Sequence, residues 1–172
     1  VSVELVLTVL ADDRPGVVEG VAAAVAAHGG SWRESRLAVL GGRFAGIVAV
    51  TVPDGAVDAL QRDLAALPGM AVGVVPGAVR GGQVRRHRLE VVANDRPGIV
   101  AEVARALAGA GVNVDELAST VEPASMSGGM LFRATIDVGL VGAQALADVV
   151  AALEGLSDDL MIDVDAEGAD PS

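Results

Sequence analysis

The sequence predicts an α+β protein made of two tandem βαββαβ units, each a four-stranded antiparallel sheet with two helices on one face, the ferredoxin-like arrangement. Three observations predict it. The phrase ADDRPGVVEGVAAAVAAHGG, Ala11 to Gly30, returns as ANDRPGIVAEVARALAGAGV, Ala93 to Val112, with Asp13 and Asp95 82 residues apart. Each copy lies between two runs of β-favouring apolar residues. Each also carries apolar residues at helical spacing after its Pro-Gly. A repeat on this scale in 172 residues outranks the single domain that length alone would suggest.

The elements follow in order. Val3–Ala11 is β-branched and leucine-rich, hence a strand. Val17, Val18, Val21 and Val25 mark a helix, stopped by Gly29-Gly30. Ser31–Leu40 and Phe44–Val52 flank Gly41-Gly42, a hairpin signal. Val57, Leu60, Leu64 and Leu67 give a second helical stripe, ended by Pro68-Gly69, and Ala71–Val75 is a short last strand. Residues 77–84 are rich in turn formers and lack periodicity, so they read as a linker between a first domain, 1–76, and a second, 85–165. The order then restarts. Leu89–Ala93 is a strand, and Ile99, Val103, Leu107 and Ala110 mark a helix. Val112–Glu122 and Met130–Val138 are strands joined by a longer loop, Pro123–Gly129. Leu146, Val149, Val150 and Leu153 line the last helix, and Leu160–Val164 closes the sheet. The acidic residues 166–172 read as a disordered tail. Right-handed crossovers turn each βαββαβ run into one sheet with both helices on one side.

Composition narrows the function. The chain has no cysteine, which excludes disulfide scaffolds, Cys-ligated zinc and thiol catalysis. All twelve basic residues are arginines, so Schiff-base chemistry and a P-loop lysine are excluded too. Net charge is −11, and it is uneven. Residues 1–83 hold 8 acids against 6 arginines, and residues 84–172 hold 15 against 6. Such a surface repels a phosphate backbone, so direct nucleic-acid binding is not expected. The cluster Arg85-Arg86-His87-Arg88 reads as a solvated linker-to-strand junction that salt-bridges to the acidic half. No apolar run reaches the ~18 residues of a membrane span, and the N-terminus reads as a strand, not a signal peptide. A cytoplasmic protein without membrane contact is the default expectation. His28 reads as a favourable charge at a helix C-terminus, and neither it nor His87 has ligand company, so neither metal nor cofactor is expected. No catalytic constellation is present, and no enzyme activity is expected. The serines of Pro123–Gly129 lack a base and read as hairpin loop, and Asp158-Asp159 read as a solvated terminus. Trp32 suits sheet packing as well as a ligand or partner contact.

The repeated Asp-Arg-Pro-Gly carries the functional signal. Proline is expected at the first helical position, where its missing N–H costs nothing. Glycine lets the chain turn sharply, and Asp13 and Asp95 are placed to cap the helix from the side. The result is a helix start that suits a carboxylate. The aspartates and Asn94 supply acceptors for an ammonium group, so the pair matches a free amino acid. A purely structural helix start uses the same residues, with Arg14 and Arg96 solvated or paired to the neighbouring aspartates.

The helix ends in Gly111-Val112-Asn113-Val114-Asp115, which opens strand two with a short polar side chain. The loop, the helical stripe and this polar strand start together resemble the ACT domain, a small-molecule-binding regulatory module of βαββαβ fold. NDRPGIVAEVARALAGAGVNVDEL matches its pattern at nearly every marked position, and the first half departs from it at Gly30-Ser31-Trp32. The resemblance covers almost the whole chain. It implies an amino-acid ligand, glycine among the candidates, and action through a protein partner such as a transcription regulator or an enzyme. It implies a site at Asn94, Asp95, Arg96, Gly98, Ile99, Asn113 and Val114, with a weaker or absent counterpart at Asp12, Asp13, Arg14, Gly16, Val17 and Ser31. ACT ligands usually sit where two domains meet, and a homodimer is left open. A dimerisation module whose sites have decayed is the alternative.

Overall fold

The computed structural model describes residues 1–78, 84–124, 128–141 and 146–165. Among these residues eight strands and four α-helices follow in order: β1 (Ser2–Asp12), α1 (Val17–Ala27), β2 (Ser31–Leu40), β3 (Arg43–Pro53), α2 (Val57–Ala65), β4 (Met70–Pro76), β5 (Val84–Asn94), α3 (Ile99–Gly109), β6 (Asn113–Pro123), β7 (Met130–Val141), α4 (Leu146–Glu154) and β8 (Met161–Asp165). They form two four-stranded sheets of order β2-β3-β1-β4 and β6-β7-β5-β8. Every pairing is antiparallel. The chain divides into two compact units, Val1–Arg80 and Gly81–Ser172.

Each unit has its own core. In the first, β1 alternates so that Leu5, Leu7, Val9 and Ala11 are buried with Val17, Val21 and Val25 of α1 and Leu60 and Leu64 of α2. In the second, Leu89, Val91 and Ala93 of β5 meet Ile99, Val103 and Leu107 of α3 and Val149 and Leu153 of α4. The period of two in the strands and of about 3.6 in the helices puts both helices on one sheet face. Val18, one residue off the stripe, is left 45% exposed. Among the described residues no polar or charged side chain is buried.

The strand-to-helix joint differs from the expectation in one respect. The helices begin at Val17 and Ile99, so Pro15 and Pro97 lie two residues before the first helical position. Gly16 has φ 91° and ψ −1°, and Gly98 has φ 89° and ψ −1°. Proline followed by glycine at those angles is a type II turn, and the Ile99 N–H closes it on the Arg96 carbonyl at 3.4 Å. No side-chain cap is made at either start, so Asp13 and Asp95 do not serve as caps. The same economy ends α1 and α3. Gly29 and Gly111, at φ 69° and 70°, donate to the carbonyls of Ala26 and Ala108, the penultimate residues of α1 and α3. Gly30 donates to Val25, and Val112 to Leu107, both at 2.9 Å. This paired pattern stops a helix without a side chain.

Arg85–Arg88 are strand residues of β5, not a linker junction. Their expected pairing with acids is present: Arg88 meets Asp137 through two hydrogen bonds of 2.7 and 2.8 Å, and Arg86 lies 3.8 Å from Asp115. His28 hydrogen-bonds to Asp63 of α2 at 2.8 Å, tying the two helices of the first unit together. Residues 79–83 of the expected linker, 125–127 of the hairpin loop and the expected tail lie outside the described residues.

Candidate functional site

The second unit's loop, Asn94 to Gly98, is built by the end of β5 and the type II turn. The helix's first carbonyl bond is Glu102 N–H to Gly98 at 3.0 Å. Val100 and Ala101 therefore have no carbonyl partner within the helix, and they carry the partial positive charge of its start. Ile99 is not a free donor, because its N–H closes the turn. In the first unit Gly20 N–H to Gly16 at 2.9 Å is the matching bond, leaving Val18 and Glu19.

Glu102 and Ser157, which the sequence did not single out, join Arg96 and Asp159 in bracing the second loop. Arg96 donates to Glu102 at 2.7 Å, in the first turn of α3. Asn94 N–H donates to Asp159 at 3.2 Å, and Asp159 accepts the Ser157 hydroxyl as well. Asp159 lies on the turn between α4 and β8, so residues expected to be a solvated terminus hold the loop. The Arg96 bond keeps the Glu102 carboxyl below its ordinary range, and Glu102 raises Arg96 in turn. Asp159 is also lowered, by Ser157 first and by Asn94 after desolvation is offset. The first unit is wired differently. Gly20 stands where Glu102 stands in the second, and Arg14 instead donates to the Pro68 carbonyl across the α2–β4 turn. Asp12 pairs with Arg43 on the neighbouring strand. An open depression of about 420 Å³ lies there, bordered by Asp12, Arg43, Gly69 and Met70.

Lowered carboxyl pKa values fix a sign. Glu102 and Asp159 add stability that is full above their unfolded values near 4 and is lost as pH falls through the lower folded values. Between pH 5 and 3 the wild type should therefore lose stability faster than Asp159→Asn. Urea midpoints at the two pH values test this, and equal losses in both proteins would refute the bracing.

The sequence-derived site does not assemble within one domain. Asn94 pairs with Leu131 at one end of β7, and Asn113 pairs with Gly139 at the other. Eight residues at about 3.3 Å each separate these points, roughly 26 Å. Ser31 and Asp12 are split in the same way, opposite Thr51 and Arg43 of β3. Asn94, Asp95, Arg96, Gly98 and Ile99 come together; Asn113 and Val114 do not join them. Nor does Ser31 join Asp12, Asp13, Arg14, Gly16 and Val17. The reason is topological: an eleven-residue helix carries the chain the full length of the sheet before strand two begins. Asn113 donates instead to Asp115 at 2.8 Å.

Two βαββαβ units, each with an uncapped helix start behind a Pro-Gly turn, define a tandem ferredoxin-like architecture. ACT-domain family profiles match residues 4–71 and 87–155. The chain belongs to the ACT-domain family. Among solved structures, an unknown protein from Galdieria sulphuraria is 30% identical, with a TM-score of 0.84 over 95% of this chain and 98% of that one. A protein assigned as a glycine cleavage system transcriptional repressor is 17% identical, with a TM-score of 0.72 over 96% and 97% of the two chains. No curated protein matches the sequence. No helix among the described residues is long and apolar enough to cross a membrane.

Proposed function

We propose that this chain is an amino-acid sensor that regulates a partner protein and performs no catalysis of its own. The observation that carries the reading is the Asn94–Gly98 loop on an ACT domain. It sets outward N–H groups for a carboxylate beside the acceptors Asn94 and Asp95 for an amine. Glycine is the first candidate. The stretch Ser35–Phe44, SRLAVLGGRF, resembles the glycine cleavage system transcriptional repressor, and the similarity of fold to a protein so assigned agrees with it. Action through a partner protein accounts for a transcriptional role on a chain of net charge −11, whose surface disfavours DNA. An anisotropy signal with DNA from the purified protein alone would refute that part.

The second domain should hold the tighter site, because Glu102 and Asp159 fix its loop. Asn113 can then reach a ligand at that loop only from a domain other than the one carrying the loop. A dimerisation module remains the second reading, favoured by the engagement of Arg96 and Asp159 inside their own domain.

A thermal melt against the twenty amino acids separates the two. At a hundredfold excess over the dissociation constant, binding adds about 2.7 kcal/mol. For a domain of this size the midpoint should rise by about 10–20 °C. Asn113→Ala should remove much of that shift while leaving the unliganded melt within a few degrees. If no amino acid shifts the wild type, sensing fails; if Asn113→Ala keeps the full shift, the loop acts without it.

A further inference from the structure

The depression of about 420 Å³ in the first unit opens on the outer face of its sheet, turned away from the helices. Side chains alternate along β1, so the burial of Val9 and Ala11 points Leu10 and Asp12 outward. Ala71 pairs with Leu10 and Arg43 with Asp12, so both share that face. The floor is apolar: Leu10 is 52% exposed, with Ala71 beside it on β4. The rim is charged. Asp12 and Arg43 form an ion pair, and Arg14 lies over Gly69, its Nη2 3.3 Å from where a Cβ on that residue would stand. Two guanidinium groups and one carboxylate make this rim net positive in a chain of net charge −11.

The second unit is an internal control. Its registers put Asn94 in the place of Asp12, Leu131 in that of Arg43 and Met161 in that of Ala71. Asp159, two residues before Met161, takes the place of Gly69 and accepts the Asn94 N–H at 3.2 Å. Arg96, in the place of Arg14, is turned to Glu102. The fold therefore accepts larger side chains at these places, and the small ones are a property of the first unit. So is an arginine set beside an aspartate above the space that Gly69 and Ala71 leave.

We propose that this hollow is a binding site for a free α-amino acid with an aliphatic side chain. The Asp12 and Arg43 side chains are 69% and 65% exposed, and an ion pair so exposed adds little to folding, so it can open. A zwitterion then gives each partner a new opposite charge. Its carboxylate accepts two N–H bonds from the Arg43 guanidinium, and its ammonium donates to Asp12. Its side chain rests on Leu10 and Ala71 and takes their apolar surface out of water. An amine alone would face two guanidinium groups, and a carboxylate alone would leave Asp12 without a partner. Both charges are needed. The volume falls within the range of small-ligand pockets, and glycine would leave most of it empty. The hollow lies across the sheet from the start of α1, so the proposal does not rest on the Asn94–Gly98 loop.

Amide resonances locate the ligand in solution. Titrating the whole chain with L-leucine should move the Asp12, Arg43 and Ala71 signals saturably at millimolar concentration. Ala71→Met, which copies the second unit, should abolish the movement, and Arg43→Leu should weaken binding about tenfold or more. Isovalerate and isoamylamine, each with one of the two charges, should also bind about tenfold more weakly. Signals that stay still in the wild type overturn the proposal. So does full affinity in Ala71→Met or for isovalerate. Should Ala71→Met fail to fold, Arg43→Leu decides, and undiminished binding there overturns the proposal as well. Movement confined to residues 94–101 overturns it and leaves the amino-acid sensor intact, whereas movement in the first unit alone supports it and removes the loop as the site.

Discussion

Leu153→Ala should unfold the second domain at a temperature where the first is intact. Leu153 is fully buried on α4, in the core cluster that contains no residue of the first unit. Alanine is an excellent helix former, so the substitution removes burial and leaves helix propensity unharmed. Deleting a buried leucine side chain costs about 2–5 kcal/mol, the spread reflecting how far the site collapses. For an 80-residue domain, that lowers the midpoint by about 10 °C or more. The chain supplies its own reporter. Trp32 is the single tryptophan, and it packs against the first core. The variant should show two transitions by circular dichroism, while the tryptophan transition stays at its wild-type temperature. Were the fluorescence and dichroism curves to fall together, the two cores would be one cooperative unit and the prediction would be lost.

Gly46→Ala should be the most damaging single-methyl change in the first domain. A Cβ built on Gly46 runs into the carbonyl of Arg36 and lies 2.8 Å from the Cα of Leu37. Both obstacles are backbone of the paired strand β2, which cannot rotate aside as a side chain would. Strand β2 must move or the β2–β3 ladder must open, at a cost of about 1–3 kcal/mol or more. The matching position in the second unit already holds alanine, Ala134, opposite Ser119. Ala134→Gly should therefore cost only about the strand penalty of glycine, about 0.5–1 kcal/mol. Trp32 sits near the start of the strand that is displaced, so Gly46→Ala should also change its emission in the folded protein. A Gly46→Ala protein with wild-type stability and emission would mean that β2 is far more yielding than its register implies.

The fold was legible because its signals are local and occur twice. Val17, Val21 and Val25 repeat as Ile99, Val103 and Leu107, and Gly29 and Gly111 stop both helices at one offset. What escaped the sequence was whatever depends on distance along the sheet. Asn113 stands close to the loop in sequence order, yet α3 carries it to the far end. Asp159 stands far from Asn94 in sequence, yet β8 returns beside β5 and brings it within hydrogen-bonding reach. Proline is favoured at a helix's first position as well as in a type II turn, and the positive φ of the following glycine distinguishes the two. Arg85–Arg88 reads as a junction because charge obscures strand alternation, although His87, Leu89 and Val91 keep the period of two. The small residues that open the first unit's hollow were present in the sequence too. They stand out only when the registers align Gly69 with Asp159 and Ala71 with Met161.

The central strand of each sheet is also the first made, and it waits longest for its last partner. β1 pairs with β4, joining Leu5 to Pro76, so the first sheet is complete only when that strand has left the ribosome. At about 5–20 residues per second, the 82 residues from Val84 to Asp165 take roughly 4–16 s more to synthesise. Mixed α/β domains close faster than that once their strands are present. The first domain thus has its strands locked away before the second copy of the same topology emerges. Vectorial synthesis thus separates in time the closing of two sheets of the same topology, the condition that limits misassembly between neighbouring domains.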